Sequence, residues 1–297
     1  VVPLGLICSG EQGLVTGNNS KYIATIVTNK QEKQQIAEKF IERYNEIASK
    51  SLAINEYLAN PELYFDEAEK IKQIENNPSV FGKFFNYKFV DLDNVTHYTK
   101  LKDVEKQEGA KNQTWIFYHR GNSEGYKWYV PYKEALVWNK ENVKELKEGK
   151  ETNSRWQGVN YFNSTGFGWV DYFTDKLKAF FVEEGVYSKN IVKMHSETNL
   201  ISDKVMTCLL NSKLLTYIIK QFITSTHTLQ INDGRLIPIK IPTKNIHDKL
   251  EMLFDKIFEI KLKAPEAEVA EFENEIDNLV YKLYYIPNEI IEIIEKK

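Results

Sequence analysis

Ser9-Gly10-Glu11-Gln12-Gly13-Leu14-Val15-Thr16-Gly17-Asn18-Asn19 lies between two apolar runs, one at the very start of the sequence and one over about residues 22–27. Glycine allows positive φ, and Asn, Ser and Thr side chains bond their own backbone in turns. An apolar run on each side of such a segment is typical of strands. The sequence therefore begins with a predicted strand, an elaborate turn and a second strand.

A helical pattern follows the second strand. Apolar residues recur with charged residues between them, which predicts an amphipathic helix over residues 31–52. These apolar residues are Ile36, Phe40, Tyr44, Ile47 and Leu52. A shorter helix is predicted near residues 62–74, so we treat residues 31–77 as a helical insert.

The middle of the chain, residues 84–181, is rich in aromatic residues interrupted by Gly, Asn and Ser. Aromatic and β-branched residues favour strands, and the interruptions favour loops. The runs with the highest β-propensity are 114–119, 127–130, 135–138, 161–162 and 166–169. They predict an irregular, twisted β-region with long loops.

The last third of the chain is mostly apolar with helical spacing. Ser202 and Asp203 are typical of a helix start, and we predict a helix from there through Phe222. A β-hairpin over 228–231 and 236–241 is predicted from its Asn232-Asp233-Gly234 turn. Apolar residues spaced alternately by four and three then predict two helices folded back on each other. They are Ile246, Leu250, Leu253, Ile257 and Ile260, followed by Phe272, Ile276, Leu279 and Leu283.

Together these elements predict an α+β fold, with an irregular twisted β-region, flanking helices and a C-terminal helical hairpin. We divide the chain into a first domain over residues 1–242 and the hairpin over 243–297. The hairpin is expected either to cap the first domain or to serve as a spacer or partner-binding element, and the pattern does not separate the two.

Composition narrows the function classes. No run of apolar residues is long enough for a membrane span and no signal segment is present, so we expect a cytoplasmic protein without membrane contact. Cys8 and Cys208 stand alone, which excludes a disulfide framework and a cysteine-based zinc cluster. Acidic residues outnumber basic ones by six over residues 265–297, and the rest of the chain carries a net charge of +3. This mildly basic part permits nucleic-acid binding without requiring it.

The sequence contains no catalytic motif in a suitable context. We therefore expect this chain not to be an enzyme and to bind no metal. It lacks the Asn-Pro-Pro-aromatic turn and the Gly-rich cofactor loop of a DNA methyltransferase. Glu145-Leu146-Lys147 and Glu148-Gly149-Lys150 match the string of a metal-dependent nuclease, but their charged surroundings predict a helix. The five histidines are scattered without zinc spacing. Asp91-Leu92-Asp93 fits a strand end running into a turn better than an acid/base pair.

The opening turn carries a more specific signal. Residues 10–23, GEQGLVTGNNSKYI, resemble the motif that starts the target-recognition domain of adenine-specific DNA methyltransferases of the type IIG restriction–modification and BREX kinds. The matching residues are Gln12, Gly13, Leu14, Thr16, Gly17, Asn19, Tyr22 and Ile23.

Further segments resemble the same family in the same order along nearly the whole chain. These are Lys127-Trp128-Tyr129, Trp138-Asn139, Asn160-Tyr161-Phe162, Gly166-Phe167-Gly168-Trp169, Leu210-Asn211-Ser212-Lys213-Leu214, Ile237–Pro242 and Leu279–Tyr284. Gly168 stands where the family often has Thr, and the helical insert is not part of the common pattern.

The resemblance implies a specificity domain similar to the TaqI-like C-terminal one, which reads double-stranded DNA beside a catalytic module. We expect the chain, which opens on Val1-Val2-Pro3 without Met, to be part of a longer polypeptide. An N-terminal methyltransferase module of that polypeptide would be its partner and would use S-adenosylmethionine. The chain itself is expected to need no cofactor.

Sequence reading requires side chains that bond base edges, together with cations and amides that hold phosphates. The candidates for base edges or phosphates are Arg120, Lys127, Arg155, Gln157 and Asn160, and those for phosphates alone are Lys189, Lys193 and Lys240. The turn of Thr16, Gly17, Asn18 and Asn19, with the adjoining Lys21, is expected either to meet DNA or the catalytic module, or simply to satisfy its own hydrogen bonds. Trp128, Trp138 and Trp169 are expected in the core.

A second function class stays open. Aromatic residues in the loop Gly125-Tyr126-Lys127-Trp128-Tyr129 are also typical of a carbohydrate- or protein-binding β module that contacts no nucleic acid.

Overall fold

The computed structural model describes residues 1–50, 67–82, 87–150, 153–172, 176–224 and 226–296. It has an α+β fold, as the sequence predicts. The strands, in chain order, are β1 (Val2–Pro3), β2 (Cys8–Gln12), β3 (Ile23–Val27), β4 (Phe89–Asp91), β5 (Val95–Thr96), β6 (Trp115–His119), β7 (Glu134–Val137), β8 (Gly166–Val170), β9 (Phe180–Val182), β10 (Val186–Tyr187), β11 (Ile191–Ser196) and β12 (Pro238–Ile239).

The α-helices are interspersed among the strands. In chain order they are α1 (Asn19–Tyr22), α2 (Lys30–Ser49), α3 (Glu67–Asn76), α4 (Pro78–Phe81), α5 (Asp103–Glu108), α6 (Lys140–Glu148), α7 (Asp203–Asn211), α8 (Lys213–Ile218), α9 (Ile231–Gly234), α10 (Lys244–Lys263), α11 (Ala270–Tyr284) and α12 (Asn288–Glu295). A π-helical turn, Ile219–Ile223, follows α8 directly, and a 3-10 turn covers Val159–Tyr161.

The chain divides into two compact units, each assembled from separate segments. Unit 1 comprises Val1–Leu14, His119–Pro131 and Gln157–Lys297, and unit 2 comprises Val15–Tyr118 and Tyr132–Trp156. The predicted helical insert falls in unit 2. Residues 243–297, predicted as a separate hairpin, fall in unit 1 and share its core.

Unit 1 is organised around a four-stranded antiparallel sheet in the order β2-β11-β8-β9. β1 and β12 form a separate antiparallel pair. The alternating core residues Val192 and Met194 of β11 lie in one apolar cluster with α7, α8, α10 and α11. Trp128 and Trp169 are buried in the same cluster, as predicted. The C-terminal helices thus cover one face of this sheet.

Unit 2 contains a mixed sheet. β7 pairs antiparallel with β3 and β6, whereas β4 runs parallel to β3 and β5 parallel to β6. Helix α2 places Phe40 and Tyr44 in a small apolar core with Phe81, and the rings of Tyr44 and Phe81 stack at 5.1 Å. This explains the helical spacing in the insert, because its apolar stripe has a core of its own to face.

Locally encoded helices match their predictions. The helix predicted over 31–52 is α2, except that residues 51 and 52 lie outside the described residues. The helix predicted near 62–74 is α3 from residue 67 on, and residues 62–66 lie outside the described residues. The two C-terminal helices are α10 and α11. Glu145-Leu146-Lys147 lies in α6, and Asp91 ends β4 before a 3-10 turn.

The predicted hairpin over 228–241 is wrong. Asn232-Asp233-Gly234 lies in helix α9, and β12 pairs with β1, in the register Val2 opposite Ile239. Gly234 is needed for a different reason, since a Cβ there would lie 2.5 Å from the indole of Trp169. The glycine permits close approach to a tryptophan and does not form a hairpin turn.

Two short predicted strands are also replaced by other structure. Residues 127–130 make only a single bridge, between Trp128 and Phe180, and Tyr161 lies in a 3-10 turn. The helix predicted through Phe222 is interrupted at Ser212, whose extended backbone starts α8 and whose hydroxyl accepts from the Leu215 amide. At Trp128, burial of the indole decides the local structure in place of strand pairing. At Ser212, the side-chain cap interrupts the helix that the apolar spacing predicts.

Asn139 begins helix α6 and accepts a hydrogen bond from the Asn142 amide at 2.8 Å. We expect Asn139→Ala to lower the free energy of unfolding by about 1 kcal/mol, because it leaves a first-turn amide without its cap. Urea denaturation measures this change. Asn139→Asp, which keeps the accepting oxygen, is the control, and an equal loss in both variants would contradict the capping role.

Candidate nucleic-acid interface

The Gly13–Leu14 backbone is a point of convergence in unit 1. The Leu14 amide donates to the Tyr187 carbonyl at 2.8 Å, and the Leu14 carbonyl accepts from the Lys189 amide at 3.1 Å. The Gln157 side chain donates from Nε2 to the Gly13 carbonyl at 2.8 Å, and Glu11 accepts from the Gly158 amide at 3.0 Å. The turn's first half is therefore tied to two other loops by hydrogen bonds.

Glycine is required at two points of this contact. A Cβ on Gly13 would lie 2.0 Å from the Tyr187 carbonyl oxygen, well inside van der Waals distance. Gly158 has a φ of 76°, and a Cβ there would lie 2.9 Å from the Gln12 carbonyl oxygen. The loops can approach this closely only because both residues lack a side chain.

A third loop joins the same place through Ser188. Its amide donates to the His119 carbonyl at 2.8 Å, and its hydroxyl donates to the Arg120 carbonyl. We call residues 11–14, 119–120, 157–160 and 187–189 the loop junction. Four of the predicted contact residues belong to it: Arg120, Gln157, Asn160 and Lys189.

The side chains of the loop junction differ in exposure. Asn160 and Lys189 are exposed. Arg120 and Gln157 are half-buried, and the Gln157 side-chain amide donates to the Gly13 carbonyl. Glu11 is also exposed. Burial raises the pKa of the nearby Asp171 carboxyl, and the positive charge of Lys189 partly opposes this shift. The surface thus presents the Asn160 amide and the cations of Arg120 and Lys189 next to the Glu11 carboxylate.

In unit 2 the Thr16–Lys21 turn satisfies its own hydrogen bonds. Thr16 is buried and donates to the Asn19 side chain, and Gly17 has a φ of 68°. Asn18 caps helix α1 by accepting from the Lys21 amide at 3.2 Å and from the Ser20 hydroxyl at 2.7 Å. Lys21 pairs with Glu145 at 2.5 Å. Of the two interpretations given for this turn, internal bonding is the one that the geometry supports.

Arg155 is exposed in unit 2, at a backbone bridge to Val15. The Arg155 amide donates to the Val15 carbonyl at 2.9 Å, and the Val15 amide donates to the Arg155 carbonyl at 3.1 Å. Its guanidinium therefore extends from a fixed backbone.

Three of the predicted lysines are engaged inside unit 1. Lys127 pairs with Glu273 at 2.9 Å, and the ammonium of Lys240 lies 3.6 Å from the ring centre of Tyr285. Lys193 is fully buried, and burial lowers the pKa of its ammonium to about 7. From this position Lys193 cannot reach a phosphate, so we omit it from the proposed contacts.

Two residues that build the loop junction were not predicted from the sequence. Glu11 accepts from Gly158, and Ser188 joins Arg120 to the Leu14 backbone region. Each bonds a partner far away in sequence, and no spacing rule detects such a pair.

The described residues contain no group of three or more His, Cys, Asp or Glu side chains arranged to hold a metal ion. In that part of the chain, none of the helices is both long enough and apolar enough to cross a membrane. A scan of protein-family models and a search of curated proteins found no match for this chain.

Proposed function

We propose that this chain reads double-stranded DNA sequence for an adenine-N6 DNA methyltransferase or restriction enzyme and performs no chemistry itself. Methyl transfer from S-adenosylmethionine belongs to an N-terminal module of the same polypeptide. The observation that carries the proposal is the loop junction, where Arg120, Asn160 and Lys189 extend from three loops that hydrogen bonds of backbone and side-chain groups join around the Gly13–Leu14 segment. The resemblance of residues 10–23 to target-recognition domains supports it.

Fixed loops suit this task because base recognition depends on the position of each donor and acceptor. Arginine can bond guanine through two parallel hydrogen bonds, and an Asn amide can do the same with adenine. We assign Arg120 and Asn160 to base edges and Lys189 to a phosphate. The Glu11 carboxylate would repel a phosphate. We therefore expect the part of the loop junction around Glu11 to face a groove of the DNA and not its backbone.

Arg155 of unit 2 is a further contact in the proposal. Its exposed guanidinium on a bridged backbone suits either a phosphate or a guanine. The Thr16–Asn19 turn then acts by shaping the chain around Val15, not by offering its side chains to DNA.

The alternative, a carbohydrate- or protein-binding module, depends on exposed aromatic residues over 125–129. Trp128 is buried in the core of unit 1, and Tyr129 is half-buried with its ring against Phe258 at 5.6 Å. A stacking platform at that loop would have to use Tyr126, which is also half-buried. We therefore keep this class only as an outcome of the test.

The test is duplex binding by the chain as a function of salt. We expect binding to pooled random duplexes to weaken steeply with salt, since neutralised phosphates release counterions. Lys189→Ala should reduce the slope of log affinity against log salt by about one. Arg120→Ala should weaken binding to the duplex that the wild-type chain selects from the pool by about 1–3 kcal/mol and relax the preference at one base pair.

The matched controls are exposed basic residues outside the junction. Lys249→Ala on α10 and Arg43→Ala on α2 remove the same charges and should leave both affinity and preference nearly unchanged. Absence of duplex binding at low salt would refute DNA recognition. Equal losses in the controls would show that binding depends on total charge and not on the junction.

A further inference from the structure

Lys193 occupies an unusual position for a charged residue. It lies on β11, between β2 and β8 in the sheet of unit 1, and is fully buried. Its Nζ donates to three backbone carbonyls: Tyr161 at 2.9 Å, Ser164 at 2.6 Å and Glu183 at 3.1 Å. An ammonium has three protons to donate, so these carbonyls use its full capacity.

The surroundings of Lys193 are shaped for its side chain. A Cβ on Gly166 would lie 3.2 Å from both Cγ and Cε of Lys193, so the glycine leaves room for the stem. The Tyr187 ring centre lies 5.3 Å from Nζ, and the Tyr187 hydroxyl donates to the Glu11 carbonyl at 3.3 Å. The lysine therefore sits beneath the loop junction, in a space that the neighbouring backbone keeps open.

Burial of a lysine costs free energy, and an apolar residue of similar length would avoid this cost. Two of the carbonyls belong to the loop over 161–164, which has little regular structure of its own, and the third belongs to Glu183, the residue after β9. The loop begins with the 3-10 turn that carries Asn160. Without the ammonium, the Tyr161 carbonyl would keep one donor, the Ser164 hydroxyl at 3.3 Å, but the Ser164 and Glu183 carbonyls would lose the Lys193 hydrogen bond. The loop would then have to move for these groups to reach water.

We propose that Lys193 is a positioning residue that clamps the Asn160-bearing loop to the central sheet and so fixes the recognition surface. The role in recognition rests on the proposed DNA function, whereas the clamp itself does not. Lys193 therefore makes no contact with a DNA phosphate in this proposal. The sequence alone could not show this, because a buried and an exposed lysine are the same residue type.

The first experiment compares amide hydrogen exchange in the wild-type chain and Lys193→Met. We expect exchange over residues 159–164 to accelerate about tenfold or more, with β2 and β8 still protected. The matched control is Lys261→Met, because Lys261 is a second buried lysine that donates to two carbonyls, those of Pro265 and Ala267. It should change exchange only near residues 264–267.

The second experiment measures salt-dependent binding of Lys193→Met to the duplex selected by the wild-type chain. We expect affinity to fall about tenfold with the salt slope unchanged, whereas loss of a phosphate contact would reduce the slope by about one. Lys193→Gln, which keeps a shorter donor, should give a smaller loss in both experiments, and it replaces the Met variant if that does not fold.

Unchanged exchange over 159–164 in both variants would overturn the clamp. A reduced salt slope would overturn the positioning role and make Lys193 a phosphate contact. If the wild-type chain bound no duplex, the proposed function would fail, and the exchange experiment would still decide whether Lys193 holds the loop.

Discussion

Replacing Gly13 by alanine is expected to destabilise unit 1 by about 3 kcal/mol or more, at the upper end of the cost of overpacking. The new methyl group would lie 2.0 Å from the Tyr187 carbonyl oxygen. Relief would require the backbone to separate at the two hydrogen bonds of Leu14, to Tyr187 and Lys189. Urea denaturation monitored by tryptophan fluorescence measures the change.

The same chain offers a matched control one residue beyond Arg120. Gly121 has no heavy atom within 4 Å of the position a Cβ would take, so Gly121→Ala should be neutral or slightly stabilising. If the two variants unfolded at the same urea concentration, the close approach of Gly13 to Tyr187 would be wrong. We also expect Gly13→Ala to abolish selective duplex binding, because it separates the loops that carry Asn160 and Lys189.

Acid is expected to destabilise unit 1 through His119. Burial lowers the pKa of this imidazole from 6.5 to about 4, and the positive charge of Lys193 acts in the same direction. Nε2 lies 3.1 Å from the Val130 carbonyl oxygen, to which the neutral ring can donate, and the Phe180 ring packs edge-on at 5.4 Å. The folded chain therefore keeps His119 neutral at a pH where the unfolded chain binds a proton.

The sign follows from proton binding. Between pH 6.5 and 4 the unfolded state binds more protons, so stability is fully present above pH 6.5 and is lost as pH falls. The loss from His119 should reach about 3 kcal/mol at pH 4. It is measured as the difference in urea stability between the wild-type chain and His119→Gln across this range. A pH profile of His119→Gln that runs parallel to that of the wild-type chain would contradict the assignment.

The sequence predicts those elements whose partners are near in the chain. Phe40 and Tyr44 in α2, and Leu250 and Leu253 in α10, recur at helical spacing because one face of each helix meets a core. A strand over 236–241 was predicted and contains β12, but its pairing was predicted wrongly. Its partner is β1, more than 230 residues away, whereas the local Asn-Asp-Gly string suggested a nearer one. Local signals identify elements better than pairings.

The candidate site shows the same division. Gly13 and Gln157 were singled out from motif and residue type, and they do meet. The burial of Lys193 could not be foreseen, because its three carbonyl partners come from backbone positions that leave no trace in side-chain chemistry. Side-chain identity predicts what a residue can bond, and only the fold determines which bonds it makes.

The interleaving of the two units limits how this chain can be dissected. The backbone passes from one unit to the other at residues 14–15, 118–119, 131–132 and 156–157, so any single truncation inside the sequence leaves at least one unit incomplete. Exchanging the proposed recognition specificity with another protein would require the chain to be spliced at several of these crossings at once. One of these crossings falls between Leu14 and Val15, inside the motif of residues 10–23. A graft should therefore carry the whole of residues 9–19 or none of it.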